Sequence, residues 1–155
     1  ELISQSIANL SNISKSLNSD VITSQGLITA IKTEIGRIRE PGLFQIDFHI
    51  SGEPIYMDTQ KELIIFRIVQ EAFNNIIKHA RATSTELILN YSVTGLNITI
   101  RDNGSGFVLP DNGRINNTDK AGLKNMETRT KMVAGKMQLE SKINSGTILS
   151  FNFPY

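Results

Sequence analysis

The chain has 155 residues, enough for one domain with a sizeable core. A formal net charge of +1 argues against nucleic acid as a partner, and the absence of cysteine excludes disulfides and thiolate metal sites. A hydrophobic content of 39% with no run of about 18 apolar residues points to an ordinary globular domain rather than a membrane-spanning helix.

No signal-peptide pattern opens the chain, and its first residue is Glu rather than Met, so we expect a piece of a longer protein. In residues 1–18, Ile3, Ile7, Leu10 and Leu17 form a short stripe with the spacing of a coiled-coil or bundle seam, although packing back on the domain explains it equally. Asn18-Ser19-Asp20 predicts a turn and a helix cap. A second helix over 21–39 places Leu27, Ile31, Ile35 and Ile38 on one face, and Pro41-Gly42 ends it. Phe44, Ile46, Phe48 and Ile50 alternate with polar residues as in a half-buried strand, which puts His49 on the solvent side.

A long helix is predicted over 59–81, beginning near Asp58. Its residues Ile65, Val69, Ala72, Phe73, Ile76 and Ala80 share one apolar stripe. Strands are expected at 87–91 and 96–100, joined by Val93-Thr94-Gly95 as an antiparallel hairpin. Residues 108–121 show no apolar period and read as an exposed loop. A helix opening at Gly122 carries Leu123, Met126, Thr130 and Val133 inward and stops at Gly135, and two strands follow, the last with Leu149, Phe151 and Phe153. This order predicts an α+β fold: a two-layer α/β sandwich with a mainly antiparallel five-stranded sheet and three helices on one face.

Three places in this frame can carry chemistry. On the long helix Glu71, Asn75 and Lys78 fall at i, i+4 and i+7, opposite the apolar stripe, with His79 at the edge of their row. A carboxylate, a carboxamide and an ammonium in line could hold a metal ion and a phosphate; a solvated helix face explains them too. Asp102 leaves a strand into Asn103-Gly104-Ser105-Gly106-Phe107, where glycines let backbone approach a ligand and the carboxylate can accept a hydrogen bond from an amino group. Gly122 stands at a helix start, where unpaired N–H groups suit phosphate oxygens, and Gly146-Thr147 enters the last strand. No Walker loop, dinucleotide fingerprint, nucleophile elbow or HExxH motif is present.

In this order and on these elements, the three sites together resemble the catalytic, ATP-binding domain of bacterial two-component sensor histidine kinases. These belong to the GHKL superfamily with gyrase, the heat-shock chaperone of 90 kilodaltons and mismatch-repair ATPases, and share a Bergerat-type ATP-binding fold. The run from Arg67 to Ala80 looks like the N box of the subfamily in which Glu opens it. Asp102 to Phe107 looks like the first glycine box. Gly122-Leu123-Lys124-Asn125-Met126, with Arg129 and then Gly146-Thr147, looks like the second glycine box and closing strand. The resemblance divides the chain into 1–18, the tail of a dimerisation and phosphoacceptor helix, and 19–155, the catalytic domain.

The resemblance implies that Asn75 binds Mg²⁺ through its amide oxygen, that Lys78 contacts a phosphate, and that His79 lies near the nucleotide. It implies that Asp102 recognises adenine in a pocket shaped by Gly104 and Gly106, that Thr147 is among the ATP-binding residues, and that Gly122 and Leu123 hinge a phosphate lid formed by 108–121. Glu71 would be the base or orienter for a histidine on the dimerisation domain. ATP and Mg²⁺ are the implied cofactors. The dimerisation domain of the same protein and a downstream response regulator are the implied partners, in a homodimer and without nucleic acid. A cytoplasmic domain is expected, and the sequence leaves open whether its parent is membrane-anchored.

Two departures stand out. Lys120 occupies a place where the family often has glycine, and the two histidines, His49 and His79, fit no acceptor motif. The fragment is therefore expected to bind ATP without completing its own kinase reaction. Two other readings remain: an ATPase in which Glu71 activates water, and a nucleotide-binding module without turnover.

Overall fold

The computed structural model describes residues 2–39, 42, 45–109 and 121–155, with side chains from Asp20 onward. Pro41, Phe44, loop residues 110–120 with Lys120, and the side chains of the Ile3, Ile7, Leu10 and Leu17 stripe lie outside that description.

The first helix, α1 (Leu2–Arg39), runs straight through Asn18-Ser19-Asp20, where a turn was expected, and breaks instead at Gly26. Gly26 adopts φ 78° and ψ 174°, a conformation that costs glycine little because no Cβ opposes it. Within this helix Ser24 Oγ donates to the Asp20 carbonyl at 2.8 Å. Beyond the break, the Leu27 N–H is satisfied by Glu62 Oε2 at 3.2 Å.

Glu62 lies near the start of α2 (Thr59–Asn75), which Asp58 caps by accepting from Gln60 N at 3.0 Å and Lys61 N at 3.4 Å. The Glu62 carboxylate, 5% exposed, also accepts from Met57 N at 3.2 Å and so ties the starts of two helices together. Its charge reaches the nearby Tyr91, whose phenol is pushed up to about 12, chiefly by burial and then by Glu62.

After Asn75 the helix widens into a π-helical turn, Ile76–Ala80, which ends with Arg81 in the left-handed region at φ 52°. The regular helix expected to reach 81 therefore stops six residues early.

The strands are β1 (Gln45–Ser51), β2 (Ser84–Tyr91), β3 (Gly95–Asp102), β4 (Lys136–Ser141) and β5 (Thr147–Pro154), in sheet order β1-β2-β3-β5-β4. Three of the four pairings are antiparallel. The exception is β1 with β2, which run parallel because α2 carries the chain back between them. The third helix, α3 (Ala121–Met132), precedes β4 and packs beside α2.

The core lies between the helix layer and one sheet face. Leu27, Ile31, Ile35 and Ile38 of α1, with Ile65, Val69, Ala72 and Phe73 of α2, meet Leu87, Leu89, Leu96, Ile98, Phe151 and Phe153. Each large apolar side chain buried there contributes ~1.5–3 kcal/mol, against ~0.5–1.5 kcal/mol for a neutral hydrogen bond. The apolar stripes therefore hold the layers together, and the polar contacts fix where each element starts and stops. The opposite sheet face carries His49, Asn97, Asn152 and Gln138, all outside the core, as the alternation required.

Candidate active site

The parallel crossover sends the C-terminal end of α2 to the same edge of the domain as the end of β3 and the start of α3. That convergence creates a cleft of about 460 Å³. Glu71, Asn75, Lys78 and His79 line it from the helix, Asp102, Ser105, Gly106 and Phe107 from the end of β3, and Ala121, Gly122 and Leu123 from α3. Thr147 and Leu149 of β5, with Ala72, Ile76 and Ala80, complete its floor.

The widened turn at Ile76–Ala80 matters here. A wider turn changes the angular register after Asn75, and both Lys78 and His79 come to face the cleft although they are sequence neighbours. Ala80 ends this turn, so its carbonyl has no helical partner and accepts instead from Ser105 N at 2.7 Å. That bond joins the end of the helix to the turn after β3. Gly104 lies at this joint: a Cβ there would sit 2.2 Å from the Ala80 carbonyl oxygen, so no side chain fits. Gly104 lies behind the cleft wall rather than in its lining.

Asp102 ends β3 with 6% exposure, and its Oδ1 accepts from Gly104 N at 2.8 Å. Burial pushes its carboxyl above the ordinary value, while the backbone N–H groups of Gly104 and Thr147 pull it back. Asn103, next in the chain, folds the other way. Its Oδ1 accepts from Thr83 N at 2.9 Å and Ser84 N at 3.0 Å, which pins the turn to the start of β2. A buried carboxylate facing an apolar floor of Ile76 and Leu149 suits a flat heterocycle that carries an amino group.

At the other end, Gly122 meets the helix face at close range. A Cβ at that position would lie 2.5 Å from Glu71 Oε1, 2.9 Å from Asn75 Oδ1 and 3.0 Å from Asn75 Nδ2. The α3 N-terminus thus rests against the carboxylate and the amide, with the Lys78 side chain exposed beside them. Unpaired N–H groups, an amide oxygen and an ammonium are what a chain of phosphates requires. Of the ten residues selected from sequence, nine line one cleft and the tenth, Gly104, supports its wall. The floor residues Ala72, Ile76 and Leu149 also belong to the core, and one apolar period in the sequence marks both roles.

A family profile described as histidine kinase-, DNA gyrase B- and HSP90-like ATPase matches residues 60–155. The chain belongs to this family. ATP use and the α+β ATP-binding fold go with that membership. Among its relatives, the signal transduction histidine-protein kinase/phosphatase DegS of Brevibacillus brevis is 29% identical over 159 residues, covering 99% of this chain and 39% of that protein. The oxygen sensor histidine kinase NreB of Staphylococcus carnosus is 26% identical over 153 residues, covering 99% of this chain and 43% of that protein. The chain thus spans about two fifths of the length of these relatives. The Acinetobacter baumannii histidine kinase AdeS matches with a TM-score of 0.66 at 13% identity, over 99% of this chain and 84% of that one, a likeness of fold. No helix among the described residues is long and apolar enough to cross a membrane.

Proposed function

We propose that this chain is the catalytic part of a two-component sensor histidine kinase. It binds Mg-ATP and passes the γ-phosphoryl group to a histidine on the dimerisation domain of the same protein. The observation that carries this reading is the cleft itself. It brings together a buried acceptor for an amino group, a carboxylate and an amide that lie against the first turn of a helix, and a lysine that lines the same cleft.

In this reading Asp102, with Thr147 beside it, accepts from the exocyclic amine of adenine, and Gly104 and Gly106 shape the turn that holds it there. Lys78 draws in phosphate oxygens as a point charge, with His79 nearby. The backbone at Gly122 and Leu123 offers N–H groups to the same oxygens. No cluster of three or more acidic or histidine side chains forms a cation cage among the described residues. Asn75, whose amide oxygen lies against Gly122, would be the protein ligand of an ion held otherwise by phosphates and water, as Mg²⁺ prefers. When bound, the ion supplies charge neutralisation along the phosphates.

Glu71 lies one turn from Asn75 and against the same glycine, so it can accept the proton from the N–H of the acceptor imidazole while the other ring nitrogen attacks with its lone pair. The bond from the γ-phosphorus to the bridging oxygen breaks, a phosphorus–nitrogen bond forms, and ADP leaves. Positioning and charge account for most of such a barrier.

Residues 1–18 would be the tail of the dimerisation helix and 19–155 the catalytic domain. The parent protein would be a homodimer that presents this domain in the cytoplasm and serves a response regulator. Transfer of radiolabel from ATP to a histidine-bearing dimerisation helix supplied in trans tests the reading. We expect labelling by the wild type and loss in Glu71→Gln with nucleotide still bound. Release of free phosphate that depends on Glu71, with no label on the helix, would favour the ATPase.

A further inference from the structure

One row of residues crosses the inner sheet face beside the cleft: Ile46, Thr85, Asp102, Thr147 and Ser141, each directly opposite the next. Most polar groups in this row have partners. Asp102 Oδ1 takes the Gly104 N–H at 2.8 Å. Ser141 Oγ lies 2.9 Å from Thr147 Oγ1, accepts from Phe107 N at 2.9 Å and donates to the Gly146 carbonyl at 3.2 Å. The Thr85 hydroxyl differs: it is 1% exposed and has no hydrogen-bond partner among the described residues.

A hydroxyl buried without a partner is costly, and native interiors rarely leave one so. The register limits what can satisfy this one. Thr85 and Asp102 are paired across antiparallel strands, which brings their Cβ atoms to roughly 4.5–5.5 Å on the same face. On its other side Thr85 has only the apolar Ile46. Asn103 fixes this register at the end of the ladder, through its bonds to Thr83 N and Ser84 N and its own N–H to the Ser84 carbonyl at 3.3 Å. The pair cannot slip apart without breaking that clasp. An ionised carboxylate only accepts hydrogen bonds, so the hydroxyl must donate. The Gly104 N–H takes one lone pair of Oδ1 and the Thr147 N–H also bonds the carboxylate, which leaves its remaining lone pairs to serve the hydroxyl and the ligand.

We propose that Thr85 is the positioning residue for Asp102 in base recognition. Its hydroxyl, which makes no direct bond to Asp102 in this structure, donates to the carboxylate through one ordered water and holds it oriented toward the exocyclic amine of the nucleotide base. Thr85 does not line the cleft, so it acts only through Asp102. The inference rests on the reading of the cleft as the ATP site.

The test is calorimetric titration of the protein with Mg-ATP and with Mg-ITP, whose base lacks the exocyclic amine. Thr85→Val keeps the shape and removes the hydroxyl. We expect ATP to bind about three- to ten-fold more weakly, the worth of one hydrogen bond, with ITP affinity unchanged. The ATP-to-ITP ratio should therefore shrink by the same factor, and Thr85→Ser should restore it. Thr85→Ala gives the same readout if the valine variant fails to fold in a thermal melt. A hydroxyl-free variant that keeps the wild-type ratio, or weakens both nucleotides equally, overturns the inference. If Asp102→Ala abolishes ATP binding while Thr85→Val leaves it intact, the ATP site stands and the role of Thr85 falls. Failure of the wild type to bind ATP would overturn both.

Discussion

Replacing Gly122 with alanine separates the chemistry of the cleft from the stability of the fold. The added Cβ would stand 2.5 Å from Glu71 Oε1, short of ordinary contact at 3.4 Å by about 0.9 Å, and it would crowd the Asn75 amide at 2.9 and 3.0 Å. All three atoms are the ends of flexible side chains, so the backbone need not move and both side chains retreat instead. Alanine favours a helical first turn over glycine by up to about 1 kcal/mol, so the melting temperature should stay level or rise. The chemistry should suffer, because displacement of a reacting group by about 1 Å costs on the order of a hundredfold in rate. We expect phosphoryl transfer to an acceptor helix in trans to fall about ten- to a hundredfold. Affinity for ATP without Mg²⁺ should change little, because the atoms nearest the added Cβ belong to Glu71 and Asn75, not to Asp102. Thermal melts, calorimetry and single-turnover labelling measure the three quantities. Wild-type transfer rates in a folded Gly122→Ala protein would refute the argument that Glu71 and Asn75 act from the positions seen here.

Two further outcomes follow from other residues. Glu62→Ala should lower stability by ~1–3 kcal/mol, since it leaves two backbone N–H groups, Leu27 and Met57, without their buried acceptor; Glu62→Gln should lose less, and chemical denaturation distinguishes them. The raised pKa of Asp102 gives a pH signature. Its folded value lies above the unfolded 3.8, so its stabilising contribution is complete below 3.8 and is lost as pH rises through the folded value. Asp102→Asn should remove that loss, so the ligand-free variant should gain stability relative to wild type as pH rises through this window. Parallel pH–stability curves for the two proteins would contradict the burial argument.

Much of this architecture was legible because burial leaves a period in the sequence. The stripes at Leu27–Ile38 and Ile65–Ile76 and the alternation in β2, β3 and β5 each mark one buried face. Orientation leaves no such mark, so nothing in Gln45–Ser51 distinguished a parallel partner from an antiparallel one. The break at Gly26 was hidden for another reason: the group that satisfies Leu27 N is Glu62, 35 residues away. Local capping chemistry at 18–20 offered a more obvious place and was overridden by helix continuity. The end of the widened turn at Ile76–Ala80 likewise has a distant partner, since the Ala80 carbonyl accepts from Ser105 N in the loop after β3.

The site was legible as three separate weak signals, and the fold explains why they belong together. Parallel pairing of β1 with β2 brings the end of α2 beside the end of β3, and Gly122 brings α3 onto the same helix face. Thr85 escaped notice because the expected strand began at 87, after the residue that faces Asp102.

The central claim is that the cleft binds Mg-ATP with Asp102 as its base-reading group. Titration of ATP by calorimetry, with and without Mg²⁺, into wild type and Asp102→Ala tests it most directly. We expect saturable binding that strengthens with Mg²⁺ in the wild type and is abolished in the folded variant. Unchanged ATP affinity in Asp102→Ala would contradict it.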